Sequence, residues 1–482
     1  MTARWLPLLA AACAVGPDFT RPAPPPVDRY TTGGVRGTIA ADGVAQVVRP
    51  GGELAADWWQ LFHSPTLDVI VRDALAHNAS LEAARASLRR SRYSLAAGYG
   101  VFYPQLDATG GVTRQRFSPA QFGSPMAPSE FNLYTLEGKV GYTVDVFGSQ
   151  RRTVEGLRAQ VDVQCYTLAA AHLSVTGNVV NTAIAHAGYR AEIQATEELI
   201  AAIRTQVELA ETQARAGTAP YSNALSFRGQ LASTAATLPP LRDRLAQADN
   251  LLATLVGAAP AARRPLELEL AQLALPRDLP VSLPSELAHQ RPDILVAEAT
   301  LHVSSANVGV ATAAMFPQFT LSGAVGVTNT TPGALFDPAS WIWNLGAGFT
   351  APLFHGGTLN NQRKAAIAAY EQSLASYTQT VLAALSDVAN SLQALALDAE
   401  TVDEQSHAVE AWAQAKKLID ANYASGLSDY LAVLTTENSY LQAKLGYIQA
   451  QTQRLQDTVA LFVALGGGWW SVRHAVCTRE FP

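Results

Sequence analysis

Apolar and polar side chains alternate with period two in four stretches of the chain. In 106–113, Leu106, Ala108, Gly110 and Val112 fall on one face, and Asp107, Thr109, Gly111 and Thr113 on the other. In 132–146, Tyr134, Leu136, Val140, Tyr142, Val144 and Val146 oppose Thr135, Glu137, Lys139, Thr143 and Asp145. In 319–329, Phe319, Leu321, Val325 and Val327 alternate with Thr320, Ser322 and Thr328. In 341–353, Trp341, Trp343, Leu345, Phe349 and Leu353 alternate with Asn344, Gly346, Gly348 and Thr350. Successive side chains of a strand point to opposite faces, so these runs predict four strands, each with one greasy and one polar side. That is the pattern of a transmembrane β-barrel wall. On this reading Asp107, Glu137, Lys139 and Asp145 face the lumen. Aromatic residues gather at strand ends, among them Phe102, Tyr103, Phe147, Phe316, Trp341 and Phe354, where they suit interfacial girdles. Two soluble hairpins covered by helices are the alternative.

Elsewhere the period changes to that of long helices. Residues 149–216 and 353–481 contain no proline. In 367–395, Ile367, Tyr370, Leu374, Tyr377, Val381, Leu385, Val388, Leu392 and Leu395 recur at steps of three and four, a heptad-like seam. Val154, Leu157, Val161, Cys165, Leu168, His172, Val175 and Val179 make a similar seam, and so does the series from Leu427 to Phe462. Each leading helix covers about 70 residues, or roughly 100 Å at 1.5 Å per residue. Such rods suit a tunnel crossing a wide aqueous space. Pro239-Pro240 predicts a joint in the partner helix of the first half. Nearer the start, Ser64 is the expected cap of a helix with Pro65 at its first position, and Ser80 of the next.

The elements occur twice. FYPQLDATGGVT (102–113) is echoed by MFPQFTLSGAVGVT (315–328), GYTVDVF (141–147) by GFTAPLF (348–354), and ARAGTAPYSNAL (214–225) by YASGLSDYLAVL (423–434). The chain reads as a tandem duplication of strand, strand, long helix, helix. Four strands cannot close a barrel, and lipid does not tolerate an open edge, so several copies must share the wall. Two copies would give eight strands and three would give twelve; the wider conduit suits the polar inner faces and the long rods.

Composition narrows the function further. Charged residues are 15% and the net charge is −6, which excludes a basic nucleic-acid footprint. The chain has no GxSxG elbow, HExxH or phosphate-binding loop, so no enzyme is expected. His172 and His186 are too far apart on a helix for a metal pair, and no metal or other cofactor is expected. The run Cys165–Tyr189 lacks charges, but its His, Asn, Thr and Ser residues argue for packing against protein rather than a membrane span, and no segment reads as a better span. The three cysteines form no disulfide framework by spacing, and Cys165 reads as a small buried hydrophobe. Cys13 differs. Arg4, a short apolar run and Ala10-Ala11-Ala12 precede it, which resembles a lipoprotein signal peptide with Cys13 as the acylated residue. The Pro- and Gly-rich stretch 14–56 reads as an extended tether.

Ten segments in order carry a family likeness. They include WWQLFHSPTLDVIVRDAL (58–75), VDVFGSQRR (144–152), LPPL (238–241), QRPDILVAE (290–298), FPQFTLSG (316–323) and LFVALGGGWW (461–470). Together they resemble outer-membrane efflux lipoproteins of the OprM and NodT type, relatives of TolC. The resemblance implies an α+β membrane protein, a homotrimer with a twelve-stranded barrel in the outer membrane and a long α-helical coiled-coil tunnel across the periplasm. A mixed equatorial domain would be built from segments near 14–60, 257–290 and the C-terminus. It implies a passive duct that docks onto a periplasmic adaptor and an inner-membrane pump of the RND or similar class and exports small toxic compounds. An exit duct for protein secretion of type I is the neighbouring reading, and a lipid-anchored coiled-coil scaffold a more distant one.

The resemblance also places the periplasmic gate at the repeated turns. Tyr423 and Leu431 match positions the family uses at its constriction. Thr435 stands where relatives carry an aspartate, and Ala424 where they often carry an arginine. Glu437 would supply an acidic ring only by facing the lumen. The expected organisation is a signal peptide (1–12), an anchored segment (13–60), a first repeat (61–257) with hairpin 101–147 and helices 149–257, a linker (258–290), a second repeat (291–470) with hairpin 316–354 and helices 356–466, and a tail (471–482).

Overall fold

A computed structural model describes residues 14–23, 26–31, 33, 37–123, 125–262 and 266–472. Cys13 and most of the tail lie outside the described residues. The strands are β1 (Thr38–Ala41), β2 (Val44–Pro50), β3 (Gln105–Phe117), β4 (Ser129–Val144), β5 (Asp278–Val281), β6 (Gln318–Asn329) and β7 (Trp341–Thr350). The α-helices are α1 (Pro65–His77), α2 (Ala79–Gly98), α3 (Ser149–Arg215), α4 (Tyr221–Ala235), α5 (Leu238–Leu255), α6 (Pro284–Gln290), α7 (Pro292–Ala313), α8 (Thr358–Ala424) and α9 (Tyr430–Ala464). Both α3 and α8 run for 67 residues, as the proline-free stretches require. Ser64 caps α1 by accepting from the Leu67 amide, behind Pro65. Asn78, not Ser80, caps α2: its side-chain oxygen accepts from the amides of Ser80 and Leu81, so Ser80 lies two residues too far in. The joint at Pro239-Pro240 is the break between α4 and α5, with the prolines in the first turn of α5, where helix N–H groups lack partners anyway.

The chain divides into two compact units. The first comprises Met1–Arg21, Arg89–Val163 and Ala297–Tyr377. Its centre is an antiparallel sheet in the order β3-β4-β6-β7, so the two hairpins pair through β4 and β6. Beside it, residues 14–21 are fixed rather than free. The Val15 amide donates to the Phe147 carbonyl, the buried Arg152 binds Asp18 at 2.7 Å and Glu155 at 2.8 Å, and Phe19 stacks on His302.

The second unit comprises Pro22–Leu88, Gln164–Val296 and Thr378–Pro482. A small sheet β1-β2-β5 forms within it, with β2 and β5 parallel. The tether expected over 14–56 therefore contains two strands, because its Pro- and Gly-rich composition is interrupted by TIAADGVAQVV (38–48). A helical core joins Leu199, Ile203, Val207 and Ala210 of α3 to Ala224 and Phe227 of α4 and Leu434 of α9. The α8 seam is buried at Tyr377, Val381, Val388, Leu392 and Leu395, whereas Ile367, Tyr370 and Leu374 stay accessible in the single chain. Cys165 is buried as expected, but it is disulfide-bonded, which corrects the expectation of no disulfide; its partner lies outside the described residues. The run from Cys165 to Tyr189 lies inside α3, while among the described residues α7 and α8 hold two stretches long and apolar enough to cross a membrane by length and composition alone, which corrects the expectation that no segment reads as a better span.

Candidate functional site

The four-stranded sheet keeps its two faces separate over most of its length, and polar pairs such as Arg114–Asn132 enter the apolar face only at the loop end of β3 and β4. Register places Leu106 opposite Val140, Leu136 opposite Val327, Tyr142 opposite Leu321, Val325 opposite Trp343 and Phe319 opposite Phe349. Partners directly opposite share a face, so these side chains form one continuous apolar surface. That surface is open in the single chain: Leu106 is 78% exposed, Trp343 79% and Leu345 82%. An apolar area of this extent on a chain surface marks contact with lipid or another protein.

The opposite face is polar. Asp107 stands opposite Lys139, and Lys139 pairs with Glu137 at 2.7 Å along the same strand face. Thr135 and Thr328 meet at 3.2 Å between β4 and β6. Three of the four residues expected on this side, Asp107, Glu137 and Lys139, thus come together on it. Asp145 does not. It lies one residue past β4, and its carboxylate accepts from the backbone amides of Gln150 and Arg151 and from Arg151 Nε. A carboxylate at a helix start satisfies amides that have no partner within the helix, and this role draws Asp145 off the strand. Among the described residues, β3 and β7 each have one neighbour, which leaves both outer edges of the sheet unpaired.

The two repeated turns have the same geometry. Gly217 and Gly426 adopt φ of +70° and +76°, which glycine reaches without steric cost. The Thr218 amide donates to Gln213 O at 2.9 Å, and the Leu427 amide to Asn422 O at 2.8 Å. This is the capping bond of a helix closed by a left-handed glycine. Asp429 then caps α9 by accepting from the Ala432 amide at 2.8 Å.

The four residues expected at the gate separate by environment. The Tyr423 hydroxyl donates to Gln213 Oε1 at 3.2 Å, linking the ends of α8 and α3. Leu431 and Thr435 are exposed on one face of α9, and Leu427 beside them is 80% exposed. Glu437 is 2% exposed and turned into its own helix pair, where Lys416 Nζ donates to it at 3.1 Å. Sequence reasoning missed Lys416 because nothing in its local pattern shows a partner twenty-one positions away; its neighbour Asp420, at i+4, was the visible signal.

A second polar cluster was also missed. Arg454 of α9 is buried and donates to Gln46 Oε1, Ile39 O and Val44 O. Asp42, at the β1–β2 turn, accepts from Ser406 and from the Tyr447 hydroxyl. These contacts pin the β1–β2 hairpin to α8 and α9. At the chain start, Ala14 lies against Gly148, just past the end of β4, where an added Cβ would sit 2.7 Å from the alanine methyl. Cys13 itself is outside the described residues.

An exposed apolar sheet face backed by a polar one, joined to helices of 67 residues, defines the TolC-like class of outer-membrane channels, mainly helical with a smaller share of sheet. The comparisons agree. The sequence profile described as "Outer membrane efflux protein" matches residues 70–258 and 283–467. The pyoverdine export outer membrane protein OpmQ of Pseudomonas aeruginosa is 29% identical over 492 aligned residues, covering 100% of both chains. The probable outer membrane lipoprotein SilC of Salmonella typhimurium is 25% identical, with 96% of this chain and 97% of that protein covered. The solved structure of the outer-membrane channel OprN matches with a TM-score of 0.86 at 27% identity, covering 95% of this chain and 100% of that one. The chain belongs to the outer membrane efflux protein family: it is an outer-membrane efflux channel, a duct rather than a member of an enzyme class.

Proposed function

We propose that three copies of the chain close a barrel of twelve strands, four from each, with the apolar face toward hydrocarbon and the face of Asp107, Glu137 and Lys139 lining the bore. The observation that carries this reading is a sheet with one largely exposed apolar face and, among the described residues, two unpaired edges. In lipid each unpaired strand edge must find a partner, and head-to-tail pairing of β3 with β7 of the next copy closes the ring. The four helical rods of each chain (α3, α4 with α5, α8 and α9) supply a twelve-helix tunnel through the periplasm. The tunnel receives small toxic compounds from a periplasmic adaptor and an inner-membrane pump of the RND or similar class, and the pump supplies the energy. The chain is a tandem duplication, with repeats at 61–257 and 291–470; the two profile matches, 70–258 and 283–467, largely overlap these halves and support that division. The β1-β2-β5 sheet belongs to the equatorial domain of 13–60 and 258–290.

Cys13 carries the lipid anchor, and the position of Ala14 beside the end of β4 supports an anchor at the rim of the apolar face. Leu427, Leu431 and Thr435 ring the periplasmic mouth, and the Tyr423–Gln213 bond ties that end together. Reconstitution tests the duct: the purified oligomer should conduct in planar bilayers. A protein that is soluble and monomeric without detergent would overturn this reading.

A further inference from the structure

The second unit holds a cavity of about 850 Å³, bounded by α3, α5, α8, α9, the β1–β2 turn and the segment 269–277. Small-molecule sites occupy roughly 300–1,000 Å³, so the space suits a ligand rather than a few waters. Its walls are largely apolar, with Leu273, Val402, Ile448 and Leu455 buried in them. On the α3 side stand Ala187 and Ala191, whose short side chains leave room that larger residues would fill.

The charges at the cavity are unevenly matched. Three carboxylates reach it, and each is engaged. Glu197 pairs with Arg242 at 2.8 Å, Asp42 accepts from Ser406 and the Tyr447 hydroxyl, and Glu269 accepts from the Gln272 amide of its own turn. Three guanidiniums reach it as well, and only Arg454 is fully occupied, by Gln46 Oε1 and two backbone carbonyls. Arg190 donates one hydrogen bond, to Leu266 O at 3.3 Å. The Arg277 side chain has no hydrogen-bond or ion-pair partner among the described residues. A guanidinium with unused N–H groups favours an anion, and a carboxylate matches its planar fork. Arg277 is exposed and Arg190 half-buried, which sets the charge toward solvent and the hydrocarbon walls deeper in.

We propose that this cavity binds a medium-chain aliphatic carboxylate, its head received by Arg190 and Arg277 and its tail laid against Leu273, Val402, Ile448 and Leu455. The site is additional to export, and neither it nor its test depends on conduction. A tail in such walls is recognised by its buried length, so each CH2 removed should weaken binding about fourfold. The ligand touches the β1–β2 turn, α3 and α9 at once, and a ligand bound only by the folded form raises its stability by mass action.

The test is photolabelling of the full-length oligomer, held in phosphatidylcholine nanodiscs, with laurate carrying a diazirine near its methyl end. Peptide mapping by mass spectrometry should place the label on 187–194 and 269–277, and excess laurate should compete it away. The methyl ester of the same probe, which lacks the charge, should label these segments several-fold less. Arg277→Gln should lower the label several-fold, and Ala191→Phe, which fills the cavity, should abolish it. Arg277 is exposed and its side chain holds nothing else, so its variant keeps the test open where Ala191→Phe assembles poorly; migration as an SDS-resistant oligomer checks both. Equal labelling by the ester, or a label unchanged in Arg277→Gln, overturns the proposal. So does an assembled oligomer with no label on these segments, which would mean that a neighbouring copy or the chain's own tail fills the cavity.

Discussion

Asp398 of α8 and Asp457 of α9 face each other beside the buried Arg454. Burial, reinforced by Asp457, pushes the Asp398 carboxyl up to about 7, and Arg454 pulls the other way. A carboxyl whose folded value lies above its unfolded one favours the protonated fold. Its contribution is present in full at acidic pH and is lost as pH rises through the interval between the ordinary aspartate value and about 7. Asp398→Asn should therefore raise the melting temperature at a mildly alkaline pH and change it little in acid, read from thermal melts at both values. Asp429→Ala removes the α9 cap and should cost about 1 kcal/mol, measurable as a lowered unfolding midpoint. Asp429 directly precedes the second helix of the repeated turn, a local cap signal that sequence reasoning missed; the Asp398–Asp457 contact leaves no such signal, because the two residues meet only when α8 and α9 pack.

At the scale of elements, the sheet makes the sharper prediction. Leu345 sits mid-strand in β7 on the apolar face. An arginine facing lipid at the bilayer midplane costs about 2–4 kcal/mol. Leu345→Arg should therefore deplete the assembled outer-membrane form, whereas Asn344→Arg, on the polar face of the same strand, should leave assembly intact; heat-modifiable migration on SDS gels reads both. A soluble hairpin with Leu345 in water would show no such difference. Strand faces were readable because period two survives at most aligned pairs, breaking at the loop end of β3 and β4, where Arg114 pairs with Asn132 on the apolar face. The long helices were readable because a proline-free heptad pattern has few other outcomes. The Leu427–Phe462 seam was only partly right: Leu434, Ile448, Leu455, Val459 and Phe462 are buried, Leu441 and Leu445 half-buried, and Leu427 and Leu431 stay exposed at the turn.

For the whole molecule, the unpaired edges of β3 and β7 require neighbours, so the native protein should migrate as an SDS-resistant oligomer that heating converts to monomer. Cys13→Ala should abolish acylation, checked by mass spectrometry of the mature N-terminus, while leaving that oligomer able to form. An unmodified Cys13 in the wild-type protein from its native host would refute the anchor. Persistence of the oligomer in the variant would show that sheet closure, rather than the lipid, holds the copies together.

The order of amino acids by itself determined the strand faces, the rods and the helix joint, because each follows from local periodicity and proline. Only the tertiary structure decided which polar groups meet. It moved Asp145 from a strand face to a helix start, turned Glu437 inward onto Lys416, and set Arg454 against the β1–β2 hairpin. Those outcomes depend on charges and hydrogen-bond donors brought together across tens to hundreds of residues, and burial then fixes how strongly each pair must satisfy the other.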